Sequence, residues 1–217
     1  MPVLNGPRRM PREGRPDSVV VMLHGIGSDG DDLISLADFL APALPSTAFH
    51  APNAPHRFDG AAYGYQWYSR RTPETRVEGV RAVAPTVNAF VDELAAQHGL
   101  TSDRCVLLGF SQGCIVSLHA GPRRKEPLAG VVGLSGALVT GDTLAAEIAN
   151  RAPVFLAHGE EDGVLPAAGT RQAAAALEAL GVPVELHILT GLGHSIDGRV
   201  VQAASAFMRR VLSKAGD

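Results

Sequence analysis

The chain has 217 residues, 46% of them apolar and 19% charged, with a net charge of −3 and an isoelectric point near 6.2. That length suits a single domain over residues 1–217, able to bury about 70% of its unfolded surface. The composition excludes a disordered chain and a basic nucleic-acid footprint, and it favours neutral or apolar substrates.

The opening residues Met1 to Arg9 contain no apolar signal segment, and no later run reaches membrane-spanning length. A soluble cytoplasmic protein without stable membrane association is therefore expected. Arg8 to Asp17 is rich in Arg, Pro and Gly and reads as an edge strand or loose arm with its arginines in water. Val19 to Leu23 is a short β-branched run, the mark of a strand buried on both faces. The turn His24-Gly25-Ile26-Gly27-Ser28-Asp29-Gly30 follows. Asp31-Asp32 and the apolar positions Leu33, Leu36 and Leu40 then predict a helix with an acidic start. That helix start explains Asp29, Asp31 and Asp32 more simply than a metal site does. A second strand is predicted around Ala48 to Ala51.

Asn53 to Thr75 reads as a long connection that holds the only tryptophan, Trp67, and all three tyrosines, Tyr63, Tyr65 and Tyr68. Such a concentration of aromatics suggests the wall of a pocket. Apolar spacing predicts a helix from Glu78 to His98, ended by Gly99. A strand over Cys105 to Leu108 and a helix from Gln112 to about His119 come next, then a polar turn at Pro122-Arg123-Arg124-Lys125. Further strands are predicted at 128–134, 153–158 and 184–189, with helices at 143–150, 168–180 and 199–213. Regular alternation of strand and helix implies a mostly parallel sheet with helices on both faces. Cys105 and Cys114 should be separate buried thiols. The basic pairs Arg70-Arg71, Arg123-Arg124 and Arg209-Arg210 read as solvated.

In such a sheet, functional groups gather beyond the carboxyl ends of the strands. Gly109-Phe110-Ser111-Gln112-Gly113 has the G-x-S-x-G spacing of a nucleophile elbow, a sharp strand-to-helix bend that lifts the serine above the sheet. A serine hydroxyl needs a base, and His194, in the glycine-flanked turn after the last strand, is the best placed of eight histidines. The imidazole needs an acid to orient it. Glu160, Glu161 and Asp162 all lie in the loop after the preceding strand, and composition alone leaves the choice open. The backbone amides of Gln112 and Ile26 are candidate donors to an oxyanion.

Taken together, Leu23-His24-Gly25-Ile26-Gly27, Gly109 to Gly113, His158-Gly159 with Asp162 and Pro166, and Gly193-His194 resemble the phospholipase/carboxylesterase family of α/β-hydrolases, which includes acyl-protein thioesterases. The resemblance covers nearly the whole chain in one order. It implies an α/β-hydrolase fold without a separate lid domain. It makes Asp162 the acid beside Ser111 and His194, and makes the amides of Ile26 and Gln112 the oxyanion hole. The family commonly has Leu where Ile26 stands.

The implied activity is that of a serine carboxylesterase acting on short- to medium-chain esters through an acyl-enzyme. Thioesterase or lysophospholipase activity at the same residues is the alternative. No cofactor or metal is expected, and the partner is a small-molecule ester rather than nucleic acid. A homodimer is compatible with the sequence, which leaves the oligomeric state open. Trp67, Tyr65 and Leu165 are the residues expected at the substrate. A non-catalytic binding protein of the same fold would have no need for nucleophile, base and acid together.

Overall fold

The computed structural model describes residues 4–214. A seven-stranded sheet forms its centre, in the spatial order β1-β3-β2-β6-β7-β8-β9. The strands are β1 (Arg8–Arg9), β2 (Ser18–Leu23), β3 (Thr47–His50), β6 (Cys105–Phe110), β7 (Gly130–Leu134), β8 (Val154–Gly159) and β9 (Val184–Leu189). Only β1 runs antiparallel, pairing with β3; the other neighbours are parallel. No separate lid is inserted among the described residues.

The apolar runs are continuous because both faces of the sheet are covered. Val19, Val21, Leu23, Cys105, Leu107, Val131, Val154 and Leu156 face one core, which is closed by helices α3 (Pro73–His98), α4 (Gln112–Arg123) and α6 (Ala167–Glu178). Val20, Met22, Val106, Leu108, Val132, Phe155 and Ala157 face the other. That side is closed by α1 (Gly30–Ile34), α2 (Ala37–Leu40) and α7 (Gly198–Lys214). α5 (Gly141–Glu147) lies outside this packing except for Leu144.

Several expectations need correction. The helix predicted from Asp31 through Leu40 is two short segments. Asp29 caps the first by accepting from the Asp32 amide, and Ser35 Oγ then donates to the Asp32 carbonyl, a back-bond that competes with helix continuation. The long helix starts at Pro73 rather than Glu78. Thr72 and Thr75 form a reciprocal capping box there, with Pro73 in the first turn, a local signal that hydrophobic spacing does not register. The connection after β3 contains a two-stranded hairpin, β4 (His56–Arg57) and β5 (Tyr65–Gln66).

Arg123 and Arg124 are not a solvated turn. Arg123 closes α4 and donates to Glu147 and the Thr140 carbonyl. Arg124, 5% exposed, pairs with Asp92 and Asn88 of α3. Arg9 likewise turns inward to the Ala37 carbonyl. Cys105 and Cys114 are free and buried, and burial pushes the Cys105 thiol up to about 12 and raises Cys114 as well.

Burial also keeps histidines neutral. His50 and His119 are lowered from 6.5 to about 4, by burial first. Beyond burial, His98 and Arg8 act on His50, and Arg123 and Arg81 on His119. Below pH 6.5 the unfolded chain takes up these protons and the folded chain does not. Stability is therefore full above that value and falls as pH drops toward 4, by up to about 1.4 kcal/mol per pH unit for each histidine. Urea unfolding followed from about pH 7 to about pH 4.5 checks this, and His119→Asn should flatten the slope by one histidine's share. An unchanged slope in that variant would contradict the assignment.

Candidate active site

The chain leaves β2 for β3 on one side of the sheet and later returns to place β6 on the other side of β2. The loops after β2 and β6 thus depart in opposite directions and leave a crevice at their carboxyl ends, where ligands bind in open α/β sheets. Both loops carry candidate groups. The β6–α4 joint is set by close backbone contact. A Cβ on Gly109 would lie 2.2 Å from the Gly113 carbonyl oxygen, and one on Gly113 would lie 2.0 Å from that of Leu23. With helix and strands so close, Ser111 is forced to φ 53°, ψ −114°. Its amide donates to the Leu134 carbonyl at 2.9 Å. The residue is 7% exposed.

His194 reaches Ser111 from the loop after β9. The end of β8 allows this approach, because a Cβ on Gly159 would lie 2.2 Å from the Leu192 carbonyl oxygen and 2.4 Å from that of Gly193. His194 Nε2 is 3.0 Å from Ser111 Oγ, and Nδ1 is 2.6 Å from Asp162 Oδ2. A carboxylate only accepts, so Nδ1 carries the hydrogen and Nε2 is free to accept from the serine. Phe110 packs its ring 5.0 Å from the imidazole.

The three carboxylates separate by position. Glu160 accepts from Thr190, and Glu161 from the Gly191 amide, so both brace the turn leading to His194 without meeting its ring. The Asp162 side chain is fully shielded. Its Oδ1 accepts from the amides of Val164 and Leu165 at 2.8 and 2.9 Å. Burial pulls this carboxyl upward, but the Leu165 amide, His194 and the Val164 amide outweigh it and hold the group below the usual carboxylate range.

Across the crevice, among the described residues, the amides of Ile26 and Gln112 have no hydrogen-bond acceptor. His24, which sequence reasoning passed over, fixes the first of them. The Ala54 amide donates to His24 Nε2 at 3.0 Å, so Nδ1 carries the hydrogen and donates to the Gly25 carbonyl at 2.7 Å. That carbonyl belongs to the same peptide unit as the Ile26 N–H and points the opposite way. Burial holds His24 below its ordinary value and keeps it neutral, against the pull of the Gly25 carbonyl and of Asp29 and Asp32.

The aromatic segment lines a cavity. Trp67 borders a cavity of about 490 Å³ between the hairpin and α3, but it is 0% exposed. Its ring N–H donates to the His24 carbonyl and its amide to Gln112 Oε1. It therefore acts as a wedge that joins the two candidate loops. Gln112 also donates to the Tyr68 carbonyl, a role for its side chain that the sequence did not suggest. Tyr65 is half-buried, with the Arg57 guanidinium 4.4 Å over its ring. Its backbone exchanges hydrogen bonds with Gly27 and Ser28 and so braces the Ile26 loop. Leu165 is half-buried, and Val164 beside it is 62% exposed, an apolar rim residue that was not anticipated. The largest-volume cavity described, about 650 Å³, lies at the opposite end of the strands, against Val154, Val184 and Phe207.

The model of the phospholipase/carboxylesterase family matches residues 7–212. The chain belongs to this family. Its fold is that of the α/β-hydrolases, and the family's enzymes are esterases and thioesterases. The crystal structure of esterase PE8 is similar with a TM-score of 0.92 and 41% identity, covering 97% of this chain and 100% of that one. Acyl-protein thioesterase 1 of Gibberella zeae is 29% identical over 227 residues, spanning 95% of each protein. Esterase YpfH of Escherichia coli K12 is 28% identical over 198 residues, 90% of this chain and 84% of its own.

The tight joint in this family member makes a direct prediction. Gly113→Ala should cost at least the ~1–3 kcal/mol typical of overpacking, because the facing oxygen is backbone and has no rotamer to yield. Urea unfolding reads the loss, and an unchanged midpoint would mean that strand and helix can separate freely.

Proposed function

We propose that this protein is a serine carboxylesterase that hydrolyses short- to medium-chain esters through an acyl-enzyme intermediate. The observation that carries the reading is the unbroken contact from Ser111 Oγ through His194 to Asp162, at 3.0 and 2.6 Å. Ser111 Oγ attacks the ester carbonyl carbon while His194 Nε2 takes its proton. Asp162 holds the imidazole in the Nδ1–H tautomer and stabilises the cation. The carbonyl oxygen becomes an oxyanion held by the amides of Ile26 and Gln112, each donor being worth about 3 to 4 kcal/mol where such groups have been removed. His194 returns the proton to the departing alkoxide. Water, activated by the same imidazole, then cleaves the acyl-serine bond and restores Ser111.

The rim supports modest acyl chains. Val164 is exposed and Leu165 half-buried, so the apolar surface beside Asp162 is open. Thioester hydrolysis is the second reading, favoured by the likeness to acyl-protein thioesterase 1 of Gibberella zeae across 95% of the chain. Sulfur and oxygen esters need the same nucleophile, base and oxyanion donors.

Ser111→Ala should lower turnover of p-nitrophenyl acetate by about 10⁴-fold or more with the fold intact, and a fluorophosphonate probe should label Ser111 in the unmodified protein. Undiminished turnover in the variant would sink the assignment. A series of p-nitrophenyl esters from two to sixteen carbons, run beside matching thioesters, separates the two readings. The esterase reading expects the highest kcat/KM among the shorter esters.

A further inference from the structure

We propose that His158 is a positioning residue that holds Asp162, and the turn bearing it, in line with His194. The inference rests on the reading of Ser111, His194 and Asp162 as the reacting set. His158 lies in β8, four residues before Asp162, and its side chain has no exposed surface. Its Nε2 is 2.9 Å from the Leu165 carbonyl oxygen and 3.0 Å from Asp162 Oδ2. Both neighbours are acceptors, so Nε2 carries a hydrogen. That hydrogen is directed to Leu165, and its positive end also faces the carboxylate oxygen that accepts from His194.

Leu165 closes the arrangement, since its own amide donates to Asp162 Oδ1 at 2.9 Å. His158 thus grips the turn at one end while the turn grips the carboxylate at the other. The remaining ring nitrogen is also engaged. Nδ1 lies 2.5 Å from Thr170 Oγ1 of α6, and that hydroxyl is 2.7 Å from the Gly136 carbonyl oxygen at the end of β7. With the ring hydrogen on Nε2, Nδ1 only accepts, so the single Thr170 hydroxyl hydrogen is directed to Nδ1 or to the Gly136 carbonyl, and the hydroxyl's place between the two fixes the ring plane. Gly136 is itself pressed against Ser111, for a Cβ there would lie 3.2 Å from the Ser111 carbonyl oxygen. The polar chain from serine to imidazole to carboxylate therefore continues through His158 and Thr170 back to the elbow.

A group that aligns the acid acts on turnover rather than on substrate binding. His158→Leu, similar in volume but without donors, should lower kcat for p-nitrophenyl acetate by about 10- to 100-fold, the range seen when orienting partners of other functional histidines are removed. KM should stay within about twofold. His158→Gln, which can return an amide N–H to the Nε2 position, should recover at least about half of that loss on a logarithmic scale.

The deciding comparison uses Asp162→Ala. With the carboxylate gone there is nothing to position, so adding His158→Leu should change the rate of Ser111 labelling by a fluorophosphonate probe by less than about twofold. A kcat for His158→Leu within twofold of the unmodified protein overturns the proposal, as does an equal loss in the Asp162→Ala background. If His158→Leu does not fold, Thr170→Val tested in both backgrounds decides, with a loss of about three- to tenfold expected only where Asp162 is present. Failure of the underlying reading looks different: Ser111→Ala and Asp162→Ala would then keep full turnover whatever His158 does.

Discussion

The close approach of α4 to the β2–β6 pair constrains everything else in this molecule. With Gly109 and Gly113 against backbone on both sides, the single residue that turns strand into helix has no ordinary conformation open to it. Ser111 takes the strain, at φ 53° and ψ −114°, at a cost of about 1–3 kcal/mol. The conformation persists because it is over-determined. The Ser111 amide is held by Leu134, its carbonyl accepts from Ile115, and the next helical turn is seated on Leu23. The strain puts a hydroxyl at the mouth of the crevice between β2 and β6, where the Ile26 loop faces it.

Around that fixed point, the other groups are positioned by polar contacts that each satisfy two requirements. Trp67 fills space between the loops and also spends its ring N–H on His24. Gln112 bonds Trp67 and Tyr68 through its side chain, which leaves its amide facing the crevice. His24 accepts from Ala54 and donates to Gly25, so a neutral imidazole can set the direction of a peptide N–H. Asp162 collects donors on both oxygens, which is how a shielded carboxylate stays charged. These contacts hold the facing backbone amides in fixed directions, the arrangement an oxyanion would require.

Much of this was legible in the sequence because it rests on local rules. Strands buried on both faces appear as β-branched runs, and all six predicted strands lie within two residues of those observed at either end. The strand begun at Leu128 starts at Gly130, although the Ala129 amide already donates to the Cys105 carbonyl of β6. The elbow was legible for a steric reason, and His194 because a glycine-flanked turn after a strand can cross the sheet end. What was not legible depends on distant partners. The hairpin strands are two residues each, too short for any periodicity. Arg124 reads as surface until Asp92 and Asn88 are brought to it by α3. His24 and His158 sit in a turn and a strand, where a histidine suggests only packing. Their partners, Ala54 and Thr170, are thirty and twelve residues away.

The same division explains how relatives sharing 28 to 41% of their residues can carry names as different as esterase and acyl-protein thioesterase. The groups that would perform acyl transfer stand on strand ends and are locked by backbone contacts, so substitution there is costly. The side chains that would meet the substrate stand elsewhere. Val164 is exposed beside Asp162, and Tyr63, 75% exposed, lies on the hairpin loop. Ile26 keeps a backbone donor in place while its branched side chain is free to vary. A change at any of these surfaces leaves Ser111 in place, because the elbow's geometry is fixed by Gly113 and Leu23 rather than by exposed side chains. Side chains that would set selectivity can therefore vary on a scaffold held by sterics.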